Sequence, residues 1–180
     1  MTQQVVVPDP WFSPRLTALR DCLCDVLSQE PYTPVCECCI VHSAGLPSMD
    51  ACDCSCEVGD PPVSGRGTAW VQAGPMFAAS SRDSRNCAGL TTVQFRLGIY
   101  RCVDVGEVVN GELVPPSCET KMAEALLFLQ DAAAMRRVVV CCSAIADDDS
   151  VIVGWEPVGP SGGCAGGVTT VNIDLNLLAP

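Results

Sequence analysis

Apolar residues along this chain switch between two spacings, and the switches mark its elements. Leu16, Leu19, Leu23, Val26 and Leu27 recur at helical spacing behind Ser13-Pro14. That pair suits an N-cap followed by the first helical position, so a helix is predicted from Pro14 to Gln29, stopped by Pro31 and Pro34. Val35 to Val41 reads as a short strand leading into the turn-like Gly45-Leu46-Pro47. Thr68 to Gln72 (TAWVQ) is a β-prone run closed by Gly74-Pro75. From Leu90 to Val103 the period becomes two, with Thr91, Val93, Phe95, Leu97 and Ile99 alternating with Thr92, Gln94, Arg96, Gly98 and Tyr100. That is the best strand signal in the chain.

Pro115-Pro116-Ser117 announces a second helix, with Ser117 as N-cap, Glu119 and Glu124 toward its positive end, and Arg136 and Arg137 toward its negative end. Met122, Leu126, Leu129 and Ala133 form its apolar stripe. Asp147-Asp148-Asp149 makes a polar turn, Val151 to Trp155 a strand, and Val168 to Leu175 a last strand. The order predicts an α+β fold: a mainly antiparallel β-sheet with two helices packed on one face and long Cys/Gly/Pro-rich loops. The chain reads as a single domain over 1–180. Residues 1–12 are expected to be an extended N-terminal arm, and 45–67 and 156–167 long loops.

Composition narrows the function. Ten basic residues, Lys121 and nine Arg, are scattered among 21 acidic ones, giving a formal charge of −11. Phosphate contacts need clustered cations, so nucleic-acid binding is not expected, whereas an acidic surface lets DNA pass without sticking. Met1 to Pro10 lacks a basic n-region and a long apolar h-region, and no 18-residue apolar span follows. These features predict a soluble protein made in a cytosol, where thiols stay reduced.

Fourteen cysteines stand against one histidine, and eight fall in the bursts Cys22/Cys24, Cys36/Cys38/Cys39 and Cys52/Cys54/Cys56. Metal, disulfides and plain reduced burial remain open. Zinc sites favour paired Cys-X-X-Cys knuckles; the one pair at that spacing, Cys36 and Cys39, encloses a third cysteine, and no second knuckle is present to face it. Residues two apart on a strand share a face but lie roughly 6.6 Å apart. Cys22 and Cys24 on a helix would point about 200° apart and could not share an ion. Were a metal bound, the first candidate ligands would be Cys36, Cys38, Cys52 and Cys54, brought together by a fold-back. The expectation is no cofactor and mostly reduced, partly buried thiols, since free Cys packs as a small apolar residue and a chain of this length can fold without staples. Oxidation after release from a reducing cell is the third reading.

Catalytic signals are weak. His42 beside Ser43 has no positioned third group in view. Gly159 to Gly167 lacks the Lys-Ser/Thr ending of a phosphate loop, and Asp147 to Asp149 lacks the spacing and closing Glu of a calcium loop. An enzyme is not expected.

Several segments, in order, resemble a family of virion proteins from long-tailed phages of actinobacteria, the tail terminators or head-to-tail connectors. They are Cys22-Leu23-Cys24, Cys36 to Cys39 (CECC), Gly67 to Val71 (GTAWV), Asp131 to Arg137 (DAAAMRR) and Pro157 to Gly167 (PVGPSGGCAGG). The resemblance covers Leu19 to Asp174, and its last two segments are the most specific. Where Val168-Thr169 stands here, the family often carries an aromatic. The resemblance implies a structural virion protein of the phage neck: a homohexameric ring capping the tail tube, contacting the major tail tube protein and the head-side stopper or connector. The genome would pass through it without specific binding, and no membrane would be involved. Pro157, Gly159, Pro160, Gly162 and Gly163 are its interface candidates. It would be made in the host bacterial cytoplasm and reside in the virion. The alternatives are another neck ring, stopper or adaptor, or a Cys-rich metal-binding or redox module.

Overall fold

A computed structural model describes residues 12–42, 45–48, 67–78, 90–146, 149–161 and 163–176. Helix α1 (Phe12–Leu27) is followed by strands β1 (Glu37–Val41), β2 (Gly67–Ala78) and β3 (Leu90–Cys102). A small hairpin of β4 (Glu107–Val109) and β5 (Glu112–Val114) leads to helix α2 (Cys118–Cys141) and the single turn α3 (Ser143–Ala146). Strands β6 (Asp149–Ser161) and β7 (Cys164–Asn176) complete the order.

The architecture is α+β. Five strands form one sheet in the order β1-β2-β3-β7-β6, antiparallel except for the β1–β2 pair. The period of two in β3 works as the alternation predicts: Val93, Phe95, Leu97 and Ile99 all face the main core. Ala69, Val71, Val171 and Ile173 join them from neighbouring strands, and Leu19, Leu23, Val26 and Leu27 of α1 with Ala134, Met135, Val138 and Val139 of α2 cover that face. The opposite face carries a smaller cluster of Trp70, Tyr100, Cys164 and Val168. Gly98 is required there, because it lies directly across from Trp70 and a Cβ would run into the indole ring.

Several boundaries differ from the sequence expectations. Helix α1 begins at Phe12, so Ser13 lies inside its first turn and is not the cap, and the helix takes in the last residue assigned to the arm. Residues 1–11 of that arm lie outside the described residues, as do 49–66 of the first expected loop. Strand β2 does not stop at Gly74-Pro75 but passes it through a bulge between Ala73 and Met76. The expected loop 156–167 is instead almost entirely strand: β6 runs to Ser161 and β7 starts at Cys164. Pro157 and Pro160 fit because β6 is an edge strand, where a missing N–H costs no ladder bond, and because the register shifts between Val158 and Ser161. Composition alone misread a proline-tolerant edge as a loop.

Candidate interaction surface

Helix α2 divides into two halves with different surroundings. Ser117 caps it, its hydroxyl accepting a hydrogen bond from the Thr120 N–H at 3.1 Å, as the sequence predicts. Every buried residue of the helix lies in its C-terminal half: Asp131, Ala134, Met135, Val138 and Val139. None from 118 to 130 is buried. Met122, Leu126 and Leu129 are 59%, 58% and 66% exposed, and Ala133 is exposed too. The stripe read from the sequence is real, yet it faces water. A second stripe on the opposite side of the helix, at Ala134, Val138 and Met135, is the one the sheet covers.

The segment before α2 is exposed as well. Asn110 and Gly111, with φ of 53° and 86°, form the tight turn of the β4–β5 hairpin. Both central residues at positive φ is the requirement of a type I′ turn, and Asn-Gly is its favoured sequence. That dipeptide was the sequence signal for the hairpin, hidden by the shortness of its strands. Val108 pairs with Leu113 on one face, while Glu107, Val109, Glu112 and Val114 share the other. The hairpin base is tied to α2, where Glu124 accepts a 2.7 Å hydrogen bond from the Asp104 N–H.

Large hydrophobic side chains are exposed at twelve described positions, and nine lie in one stretch: Val105, Val108, Val109, Leu113, Val114, Met122, Leu126, Leu129 and Val140. Exposure so concentrated along one stretch of the chain marks it as a candidate for interaction, since scattered single exposures are the norm elsewhere.

Beside the C-terminal half of α2 is a cleft of about 550 Å³, with Ala132, Ala133 and Arg136 on the helix wall and Gly154, Trp155 and Thr169 on the sheet wall. Arg136 and its neighbour Arg137 are exposed and have no carboxylate partner among the described residues.

Behind this surface is a buried ion pair that sequence reasoning missed. Arg101 Nε and Nη2 donate to the two carboxylate oxygens of Asp131, each at 2.7 Å, and Nη2 also donates to the Thr33 carbonyl at 2.9 Å. Burial pushes the Asp131 carboxyl above its ordinary value, and the bonds from Arg101 pull against that without cancelling it. The signal was available: Arg101 continues the odd-numbered, core-facing series of β3, and Asp131 lies one turn before Met135 on the buried stripe.

Among the described residues the cysteines are largely oxidised, which corrects the expectation of reduced thiols. Cys22 is bonded to Cys142 and Cys24 to Cys38, with Cα separations of 5.9 and 6.0 Å, inside the range a disulfide spans. Their divergent directions on α1 explain the two partners: one bridge reaches the residue closing α2, the other reaches β1. Cys36, Cys102 and Cys164 are bridged as well. Sequence spacing shows how many thiols exist but not which meet across a sheet. The free thiols among the described residues are Cys39, Cys118 and Cys141. Burial, and then Glu37, pushes the Cys39 thiol up, so it stays protonated.

Of the candidate metal ligands, Cys38 and Cys36 are committed to disulfides and offer no thiolate, while Cys52 and Cys54 lie outside the described residues. Of the interface candidates, Pro157, Gly159 and Pro160 are exposed on β6 and Gly163 sits in the β6–β7 turn; Gly162 lies outside the described residues. They are separate from the 105–140 surface in sequence. His42 is exposed just beyond β1. No helix among the described residues is long and apolar enough to cross a membrane. No protein-family model and no curated protein matches the chain.

Proposed function

We propose that this chain is a structural subunit of a phage neck, a tail terminator that assembles as a six-fold ring, caps the tail tube and joins it to the head-side connector. The observation that carries this reading is the apolar surface over residues 105–140, which needs a partner to leave water. A ring subunit must present such a surface, because a closed ring of identical chains is built from one repeated contact.

Two further features support it. The charge of −11 suits a wall that DNA passes, because it repels phosphate and offers no cluster of cations. The disulfides suit a particle that leaves a reducing cell and persists in an oxidising one. The partners on this reading are further copies of the chain, the tail tube protein and the head-side connector.

Gene disruption with complementation tests the proposal. Phage lacking the chain should yield full heads and unjoined tails of irregular length, and supplying the chain should restore joined particles. Joined particles with tails of normal length in its absence would contradict the assignment.

A further inference from the structure

We propose that the β4–β5 hairpin of one copy docks into the cleft beside Arg136 and Trp155 of a second copy, making a head-to-tail contact. The proposal rests on the ring reading for its occupant and specifies how two copies meet.

The hairpin is incomplete as it stands. A two-stranded hairpin is marginal in water unless something covers it. Here Val108 and Leu113 are 71% and 63% exposed, so the chain's own cleft does not hold them. The cleft is incomplete in the complementary sense: about 550 Å³ of space between an apolar helix wall and an indole, with a cation at the rim.

The two faces of the hairpin match the two walls. Glu107 and Glu112 flank Val109 and Val114 on one face, which suits the helix wall of Ala132, Ala133 and Arg136. Val108 and Leu113 form the other face, which suits Trp155 on the sheet wall. Charge selects the orientation, because the hairpin carries only carboxylates and the helix rim carries Arg136 with Arg137 one residue on. Between hairpin and cleft runs the exposed stripe Met122, Leu126, Leu129 and Ala133. When a copy gives its hairpin to one neighbour and its cleft receives the hairpin of another, the contact is heterologous, and repetition closes a ring or extends a filament.

A photoreactive benzoylphenylalanine in place of Val108 tests this, in an equal mixture of ¹⁵N-labelled and unlabelled chains, both as purified protein and in assembled particles. Mass spectrometry should find mixed-isotope cross-links to the peptides holding Ala132 to Arg136 or Trp155. Glu107→Lys with Glu112→Lys should cut that yield about tenfold or more, and adding Arg136→Glu with Arg137→Glu should restore most of it. Mixed-isotope cross-links to other parts of the chain would overturn this contact while leaving the ring reading standing. Cross-links confined to one isotope, or none in either sample, would overturn it too, and the ring reading would then be decided by particle symmetry.

Discussion

Arg101 and Asp131 join the end of the central strand β3 to the middle of α2 through two 2.7 Å hydrogen bonds, with both side chains almost fully shielded from water. Removing one partner leaves a buried charge unmet, whereas removing both leaves a shape that apolar groups can fill. Asp131→Ala should therefore cost about 3–5 kcal/mol of folding stability. Arg101→Met combined with Asp131→Leu should cost clearly less than the single change. Chemical denaturation of the native chain and the two variants measures both, and a double variant that loses as much as Asp131→Ala or more would contradict this account of the pair.

The raised Asp131 carboxyl gives that pair a definite pH dependence. A carboxyl that binds its proton more readily in the folded than in the unfolded chain contributes stability that is full below the unfolded value, about 3.9, and is lost as pH rises through the folded value. The stability gap between the native chain and Asp131→Asn should accordingly be wider near pH 4 than near pH 7. A gap that narrows on acidification would mean that Arg101 outweighs burial and holds the carboxyl below its ordinary value.

The Cys22–Cys142 bridge spans 120 residues and Cys24–Cys38 spans 14. On the chain-entropy account the longer closure removes more freedom from the unfolded chain, about 5 kcal/mol against about 3. Replacing Cys22 and Cys142 by Ala should lower the melting temperature more than replacing Cys24 and Cys38, and a reductant should lower it in the native protein. Alkylation before unfolding should label Cys118 and Cys141 and leave Cys22, Cys24, Cys38 and Cys142 unmodified. Labelling of those four under native conditions would refute the oxidised framework.

Exposed and buried stripes of α2 should respond oppositely to mutation. Met122→Gln or Leu129→Gln should change the stability of the isolated chain by no more than about 0.5 kcal/mol, since each side chain keeps more than half of its surface in water. Met135→Ala should cost about 2–5 kcal/mol as a core truncation. The glutamine variants should instead lose incorporation into particles, read by mass spectrometry of purified virions.

What the sequence could and could not convey follows from the range of each effect. Local spacing revealed β3, the Ser117 cap and the α+β order, because alternation and capping act over a few residues. It found the apolar stripe of Met122, Leu126 and Leu129 but not its direction, since which of two apolar stripes meets the sheet depends on the whole fold. It misread Pro157 to Gly163 because proline suits a loop and an edge strand equally, and being an edge is a property of the sheet. The Cys22–Cys142 bridge joins residues far apart in sequence, where no local pattern reaches.

Imaging the tail–head joint of assembled particles at side-chain resolution tests the central claim most directly. The account predicts one six-fold ring of this chain, with residues 105–140 of each copy covered by its neighbour. A ring of different symmetry, a joint without this chain, or a ring in which Met122, Leu126 and Leu129 remain open to solvent would contradict it.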